Sequence, residues 1–291
     1  MRETPEDMGQ HSAPPPPDPN GPAAGRTVSF HTLGCRLNQA DTALMADDFR
    51  RLGFRIVPRG CESDVVVVNS CTVTATAAQK TRQAARKIRR ALPAAILVVT
   101  GCDVDAPTNP GLEDRDGVIR LGNRHKRTAA ALAWQALQTG TQSVRIPPPQ
   151  PADSADAFTE AGCGYYPYRT RANLKVQEGC DGRCTYCIVP KVRGPARSRE
   201  WDDILREAHA LVERGHREIV LTGVNIVLYR SGNQGLAELI RAILGLGSEF
   251  RIRLSSTELF DELTDIIELM ASESRLCRFL HLPAQYAEDT I

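Results

Sequence analysis

The residues with most chemistry in this sequence are cysteines, and six of its nine fall into two sets of three. Cys180, Cys184 and Cys187 lie in one stretch, VQEGCDGRCTYCIVP, spaced C-x3-C-x2-C directly after a predicted strand. Three thiolates on one short loop suit three irons of a [4Fe–4S] cube, leaving the fourth iron open to a substrate. Gly179 and Gly182 free the loop to wrap around it. Zinc competes for such a loop. It usually asks for a fourth Cys or His nearby, and the next histidine is His209 on a predicted helix. An unliganded loop is the remaining alternative. The other set is dispersed: Cys35 ends VSFHTLGC, Cys71 ends VVVVNSC and Cys102 ends ILVVTGC. In an open parallel sheet the carboxyl ends of the strands form the ligand crevice, so three thiols at three strand ends converge on one rim. That donor set again fits a cluster with an open iron. Gly34 and Gly101 let the backbone bend close to a bulky ligand. The bland alternative is small buried cysteines filling strand ends. Cys61, Cys163 and Cys277 join neither set and receive no role.

These cysteines must be positioned by the elements around them. The 291 residues imply about two domains. Proline-rich stretches set the divisions: a disordered arm over 1–26, a compact region over 27–140, an extended linker over 141–169 and a second region over 170–291. In the first region strands are predicted at 28–33, 65–68, 96–99 and 118–121, with helices at 41–52, 75–92 and 126–138. Ala43, Leu44 and Met45 turn toward the core. This alternation predicts an α/β fold with an open parallel sheet. In the second region the predicted strands are 174–176, 218–221, 251–254 and 278–282, and the helices 201–214, 236–244 and 262–270. Four strands separated by helices suggest part of a (β/α) barrel, although periodicity alone does not distinguish a barrel from an open sheet.

Composition removes other classes. Lys+Arg 36 against Asp+Glu 35 gives +1, so any nucleic acid must be met by local patches rather than a global field. No apolar run approaches the ~18 residues of a membrane helix, and no signal-peptide core is visible, so a cytoplasmic, membrane-free protein is expected. Nine cysteines in a reducing compartment point to metal or redox chemistry.

The loop with Tyr186 before its last cysteine resembles the radical S-adenosylmethionine (radical SAM) signature. TLGCRLN, NSCTVT, TGC, TRANLKVQEGC and IVPKVRGPARSR are similar to the methylthiotransferase branch of that superfamily, and LTGVN, RIRLSS and HLP-x-Q continue the match to about residue 285. TLGCRLNQAD most resembles the enzymes acting on threonylcarbamoyladenosine in tRNA. The resemblance implies an N-terminal open α/β domain followed by a radical SAM (β/α) barrel, and two [4Fe–4S] clusters. Cys180, Cys184 and Cys187 would hold the one that cleaves S-adenosyl-L-methionine to a 5′-deoxyadenosyl radical. Cys35, Cys71 and Cys102 would hold an auxiliary cluster that delivers sulfur to C2 of adenosine-37, beside the anticodon. Implied partners are a tRNA substrate and a flavodoxin- or ferredoxin-like electron donor. Sister activities, on isopentenyladenosine or on a ribosomal-protein aspartate, are the alternatives within the branch.

Other residues carry softer assignments. Gly223 and Asn225 in LTGVN, at a strand end, approach the cosubstrate or form a plain turn. Ser255, Ser256 and Glu258 do the same after the next strand, or cap the following helix. Lys191, Arg193, Arg197 and Arg199 put four cations beside the cysteine loop, for RNA phosphates or the cosubstrate carboxylate. Lys80, Arg82, Arg86, Lys87, Arg89 and Arg90 lie on one predicted helix, as a basic patch or a solvated face. Members of the branch continue with further barrel units and a small RNA-binding β-barrel, so this chain is expected to be a truncated or frameshifted form, or one that another chain completes. An inactive fragment that still binds clusters or RNA is the alternative to an enzyme.

Overall fold

The computed structural model describes residues 16–106, 118–140, 144–146, 157–164 and 171–283. In the first region, five strands of up to six residues and one three-residue strand form a wholly parallel sheet in the order β2-β1-β3-β4-β5-β6. They are β1 (Thr27–Thr32), β2 (Arg55–Ile56), β3 (Val65–Ser70), β4 (Ile96–Gly101), β5 (Val118–Leu121) and β6 (Val144–Ile146). Every residue of β3 and β4 is buried, as their continuous apolar runs require of strands covered on both faces. Alternate side chains serve the two layers. Val65, Val67 and Val98 pack against helices α1 (Arg36–Arg51) and α3 (Ala129–Thr139), whereas Val66, Val68, Leu97 and Val99 pack against α2 (Ala75–Ala91).

The second region holds a parallel three-stranded sheet, β11-β10-β7, formed by β7 (Ala172–Lys175), β10 (Glu218–Thr222) and β11 (Arg251–Leu254). Helices α5 (Trp201–Glu213), α6 (Leu236–Leu244) and α7 (Leu263–Ser272) cover it over a core that includes Leu174, Ile219, Leu221, Ile252 and Leu254. A small antiparallel pair, β8 (Gln177–Glu178) with β9 (Arg197–Ser198), and the short helix α4 (Val189–Arg193) frame the cysteine loop. The arrangement is compatible with part of a (β/α) barrel.

Four expectations change. The strand foreseen at 278–282 is reduced to two bridges, Ile252 with Leu276 and Ser256 with His281. The chain bends away from β11 between them, so no continuous ladder forms. Residues 16–26, assigned to a disordered arm, fold back on the end of α1: the Asp18 and Ala23 amides donate to the Arg50 and Leu52 carbonyls, and Ala23 is fully buried. The 141–169 segment is not wholly a linker, since 144–146 adds the sixth strand and Phe158 bridges to Arg199. Finally, α1 begins at Arg36 rather than 41 and is buried on most of its circumference, including Asn38, Asp41, Thr42 and Asp47. One side packs on its own sheet and the other on β7, where Asn173 Nδ2 donates to Gln39 Oε1 at 3.3 Å. The arm before residue 16 and Gln285 lie outside the described residues.

Candidate functional site

The strand order 2-1-3-4-5 of the first sheet has its topological switch between β1 and β3, and ligands of such sheets bind outside the carboxyl ends of the strands at that point. Cys35 follows β1 by three residues, and Cys71 follows β3 directly. Cys102 follows β4, whose Gly101 is in register with Ser70. Burial raises the Cys71 thiol above its ordinary range, and the neighbouring Cys102 and Cys35 side chains add to the effect. Cys71 and Cys102 are buried and Cys35 is exposed. Gly34 has φ +93°, and a Cβ there would come within 2.7 Å of Cys71 Sγ, so the backbone before Cys35 can lie against that thiol only as glycine. Asn38 ties the rim together: its Nδ2 donates to the Leu33 and Ser70 carbonyls, both at 2.8 Å.

The second set sits on a loop entered through Gly179, at φ +71°, where a Cβ would overlap the Pro195 carbonyl. The Gly182 amide donates to Cys180 Sγ at 3.3 Å, and the Cys187 amide to the Cys184 carbonyl at 3.0 Å. Tyr186 is 69% exposed, with its hydroxyl beside the Cys184 thiol and Glu258 within electrostatic reach. Among the described residues no three His, Cys, Asp or Glu side chains gather tightly enough to grip one metal ion. A cube asks for a different arrangement, one thiolate per iron around a larger body. Each set supplies three thiols, and a Cβ at Gly34 or Gly182 would press on a cysteine sulfur, so both donor sets suit such a group.

Between the two sets lies a buried ionic hub. Asp41 on α1 accepts from Lys126 Nζ at 2.5 Å, from Lys175 Nζ of β7 at 2.9 Å and from Arg193 Nη2 of α4 at 3.4 Å. Arg193 also donates to Glu178 Oε1 at 2.8 Å and to Asn38 Oδ1 at 2.5 Å, and Lys175 pairs with Glu160. Burial would raise the Asp41 carboxyl, but Lys126, Lys175 and Arg193 overcome it and hold the group well below the usual carboxylate range. Burial likewise opposes the Arg193 charge, and Cys102, Asp41, Glu178 and Cys35 more than offset it. Arg193 therefore touches the neighbourhood of the first set while sitting six residues past Cys187 of the second.

This corrects the assignment of Arg193 and Arg199 to RNA. Arg193 is 5% exposed, and Arg199 is fully buried, held by Asp203 at 2.7 Å and Glu207 at 2.5 Å, so neither guanidinium is open to a phosphate. Arg197 is half-buried over the Phe158 ring, and Lys191 alone of the four is exposed.

Of the softer positions, Gly223 is required by packing, because a Cβ there would lie 2.9 Å from the Gln177 carbonyl. Gln177, missed from sequence, links both parts of the second region: its Oε1 accepts from the Val224 and Asn225 amides and its Nε2 donates to the Glu178 and Gly179 carbonyls. Asn225 Oδ1 and Ser255 Oγ are buried without a hydrogen-bond partner, at the ends of the adjacent strands β10 and β11. Ser256 is exposed and pairs with His281 Nδ1 at 3.0 Å, and Glu258 is half-buried.

Comparison with known proteins defines the class first. The model described as "Uncharacterized protein family UPF0004" matches residues 27–119, and the one described as "Radical SAM superfamily" matches 174–291. Relatives include the threonylcarbamoyladenosine tRNA methylthiotransferase MtaB of Bacillus subtilis, 31% identical over 91% of this chain and 59% of its own length. Another is the ribosomal protein uS12 methylthiotransferase RimO of Desulforudis audaxviator, 31% identical over 92% of this chain and 60% of its own. Among solved structures the radical SAM methyltransferase TsrM from Kitasatospora setae shares the fold, with a TM-score of 0.58 at 15% identity, covering 91% of this chain and 60% of that one. The chain joins a domain of the family described as UPF0004 to one of the radical SAM superfamily, and is similar along most of its length to radical SAM methylthiotransferases. It spans about three-fifths of the length of these curated relatives.

Proposed function

We propose that the chain carries out the methylthiotransferase reaction on tRNA, adding a methylthio group to C2 of threonylcarbamoyladenosine at position 37. The observation that carries the reading is the joining of two cysteine triads, each at strand carboxyl ends, by one buried hub of which Arg193 is the hinge. Cys180, Cys184 and Cys187 would hold one [4Fe–4S] cluster, and Cys35, Cys71 and Cys102 the other. Bound there, the first would supply the electron for reductive cleavage of S-adenosyl-L-methionine and the second the sulfur. The protein's own part is binding and orientation. Asn225 Oδ1 and Ser255 Oγ offer acceptors for the cosubstrate at the mouth of β10 and β11. Gln177 fixes the turn carrying Asn225 to the entrance of the cysteine loop, and Asn38 and Arg193 hold that loop against the first triad. A cytoplasmic setting and a small acidic electron-transfer protein as reductant accord with this reaction. Among the described residues no helix is long and apolar enough to cross a membrane.

Anaerobic reconstitution tests the reading. Two cubes require about eight irons and eight sulfides per chain, and Ala replacement of either triad halves both. With reductant the loaded protein is expected to yield 5′-deoxyadenosine, and with tRNA bearing threonylcarbamoyladenosine a methylthio product by mass spectrometry. Bound zinc without sulfide overturns the cluster assignment. Clusters without cosubstrate cleavage overturn the activity, and conversion of isopentenyladenosine or of a ribosomal-protein aspartate instead overturns the substrate.

A further inference from the structure

Helix α2 carries a charge pattern that the cluster chemistry does not use. Six of the 36 Lys+Arg residues lie in Ala75–Ala91 and none of the 35 Asp+Glu, so this helix is +6 while the other residues together sum to −5. Its inner side, Ala78, Thr81, Ala85 and Ile88, is buried, with Ala85 and Ile88 packed on the sheet. Lys80, Arg86, Lys87 and Arg90 are exposed and Arg82 half-buried, and none of these five is held in an ion pair among the described residues. Arg82, Arg86 and Arg90 repeat at i,i+4, a spacing at which like charges work against the helix, and no acidic neighbour on it relieves them. A merely solvated face has no need of that arrangement.

The row also leads somewhere. Thr74 caps α2 three residues after Cys71, its hydroxyl accepting from the Ala77 amide at 3.1 Å, so the helix runs away from the rim that bears the first triad. From Lys80 to Arg90 it rises about 15 Å, over which one nucleic-acid strand presents about four phosphates at ~3.4 Å each. Arg59 and Lys87 both reach His31 of β1 electrostatically, which widens the positive surface beyond the helix.

We propose that the outer face of α2 is an RNA-docking surface, on which backbone phosphates of the substrate RNA lie along Lys80, Arg86, Lys87 and Arg90 while the modified base reaches the adjacent rim. The inference rests on the tRNA reading above and names the surface that reading lacks, since Arg193 and Arg199 are buried. An acidic electron-donor protein is the other polyanion such a face could take. Its electrons, however, must enter at the 180–187 loop, whereas α2 begins beside Cys71.

The test uses the full chain with reconstituted clusters, a fluorescein-labelled anticodon stem-loop RNA and fluorescence anisotropy between about 50 and 200 mM salt. The variant K80Q/R86Q/K87Q/R90Q removes only exposed side chains, and a control, R217Q/R230Q/R241Q, removes three exposed, ion-paired cations elsewhere. Losing four phosphate contacts is expected to flatten the slope of log K against log salt by about 3, at ~0.7–0.9 per contact, and to weaken binding at least tenfold at the low-salt end. The control keeps the parent slope. Equal slopes for parent and variant overturn this surface and leave the tRNA reading standing. No RNA binding by the parent overturns both. Unchanged RNA binding with lost reduction by flavodoxin assigns the face to a protein partner and overturns the proposal.

Discussion

Replacing Asp41 by Asn removes one negative charge from a site where three buried cations meet it at 2.5, 2.9 and 3.4 Å. Asp41, Lys126, Lys175 and Arg193 are each no more than 5% exposed as side chains, so water cannot substitute for the missing carboxylate. Breaking a buried pair by deleting one partner costs about 3–5 kcal/mol. An exposed pair such as Arg217–Glu249, at 68% and 79% exposure, is worth at most about 1 kcal/mol. Urea unfolding of the reduced apo chain separates these magnitudes. Trp134 belongs to α3 and Trp201 to α5, so replacing either with Phe leaves a single fluorescent probe in the other region, and the two variants report the two regions separately. D41N is expected to lower the midpoint reported by both probes, because the hub joins α1 to β7 and α4. E249Q should leave both near the parent value. The pH dependence has a fixed sign: the folded Asp41 carboxyl is depressed, so its stabilisation is present above the ordinary carboxylate range and disappears as pH falls through the folded value. The difference between parent and D41N must therefore shrink on acidification. A loss below about 1 kcal/mol at neutral pH, or a loss confined to one probe, refutes the hub as the joint between the regions.

Other outcomes follow from single residues. Gly34→Ala places a Cβ 2.6 Å from Cys71 Cβ at a φ of +93°, and should drop iron incorporation to about four per chain, one cube, with the 180–187 triad still loaded. Burial, with Glu207 nearby, pushes the Cys163 thiol up to about 12, so iodoacetamide at pH 8 should label exposed Cys61 in the native chain and spare Cys163 until urea is added. Burial, then Arg59 and Lys87, lower His31 to about 4, below its ordinary 6.5. Its contribution to stability is present above 6.5 and lost as pH falls from there toward 4. His31→Gln should flatten stability across that window, and an unchanged profile would show that His31 is not the group responsible.

The strands of the first sheet were legible because burial on both faces writes them as unbroken runs such as VVVV and ILVV, and the cysteines were legible because each ends such a run. The fourth strand of the second region was not. RFLHL has strand-forming residues, but a strand exists only through its ladder, and this segment meets β11 at isolated points. The role of Arg193 was also hidden. A cation beside a cysteine loop reads as a phosphate contact unless the acid that buries it is known, and Asp41 lies 152 residues away. One signal was available: Lys175 interrupts the apolar strand ANLKV, and a charge inside a covered strand demands a buried partner.

That partner explains why α1 departs from the simple amphipathic helix its sequence suggests. A surface helix needs one apolar stripe, and α1 meets that need with Met45, Ala46 and Phe49 against its own sheet. Its other side is also covered, by β7, yet presents Asn38 and Asp41 rather than further leucines. An apolar second face would join the two regions as well, but it would leave their relative register loose, since apolar contact is non-directional. Asn38 fixes the register through hydrogen bonds to Leu33, Ser70 and Arg193, each with a defined direction, and Asp41 does so through its three cations. Because Ser70 precedes Cys71 and Glu178 precedes Gly179 and Cys180, a displacement of Arg193 would move one cysteine set relative to the other. In the proposed reaction two clusters act on one base, which needs that register fixed more than it needs stability, and charged groups that cost desolvation are an economical way to obtain it.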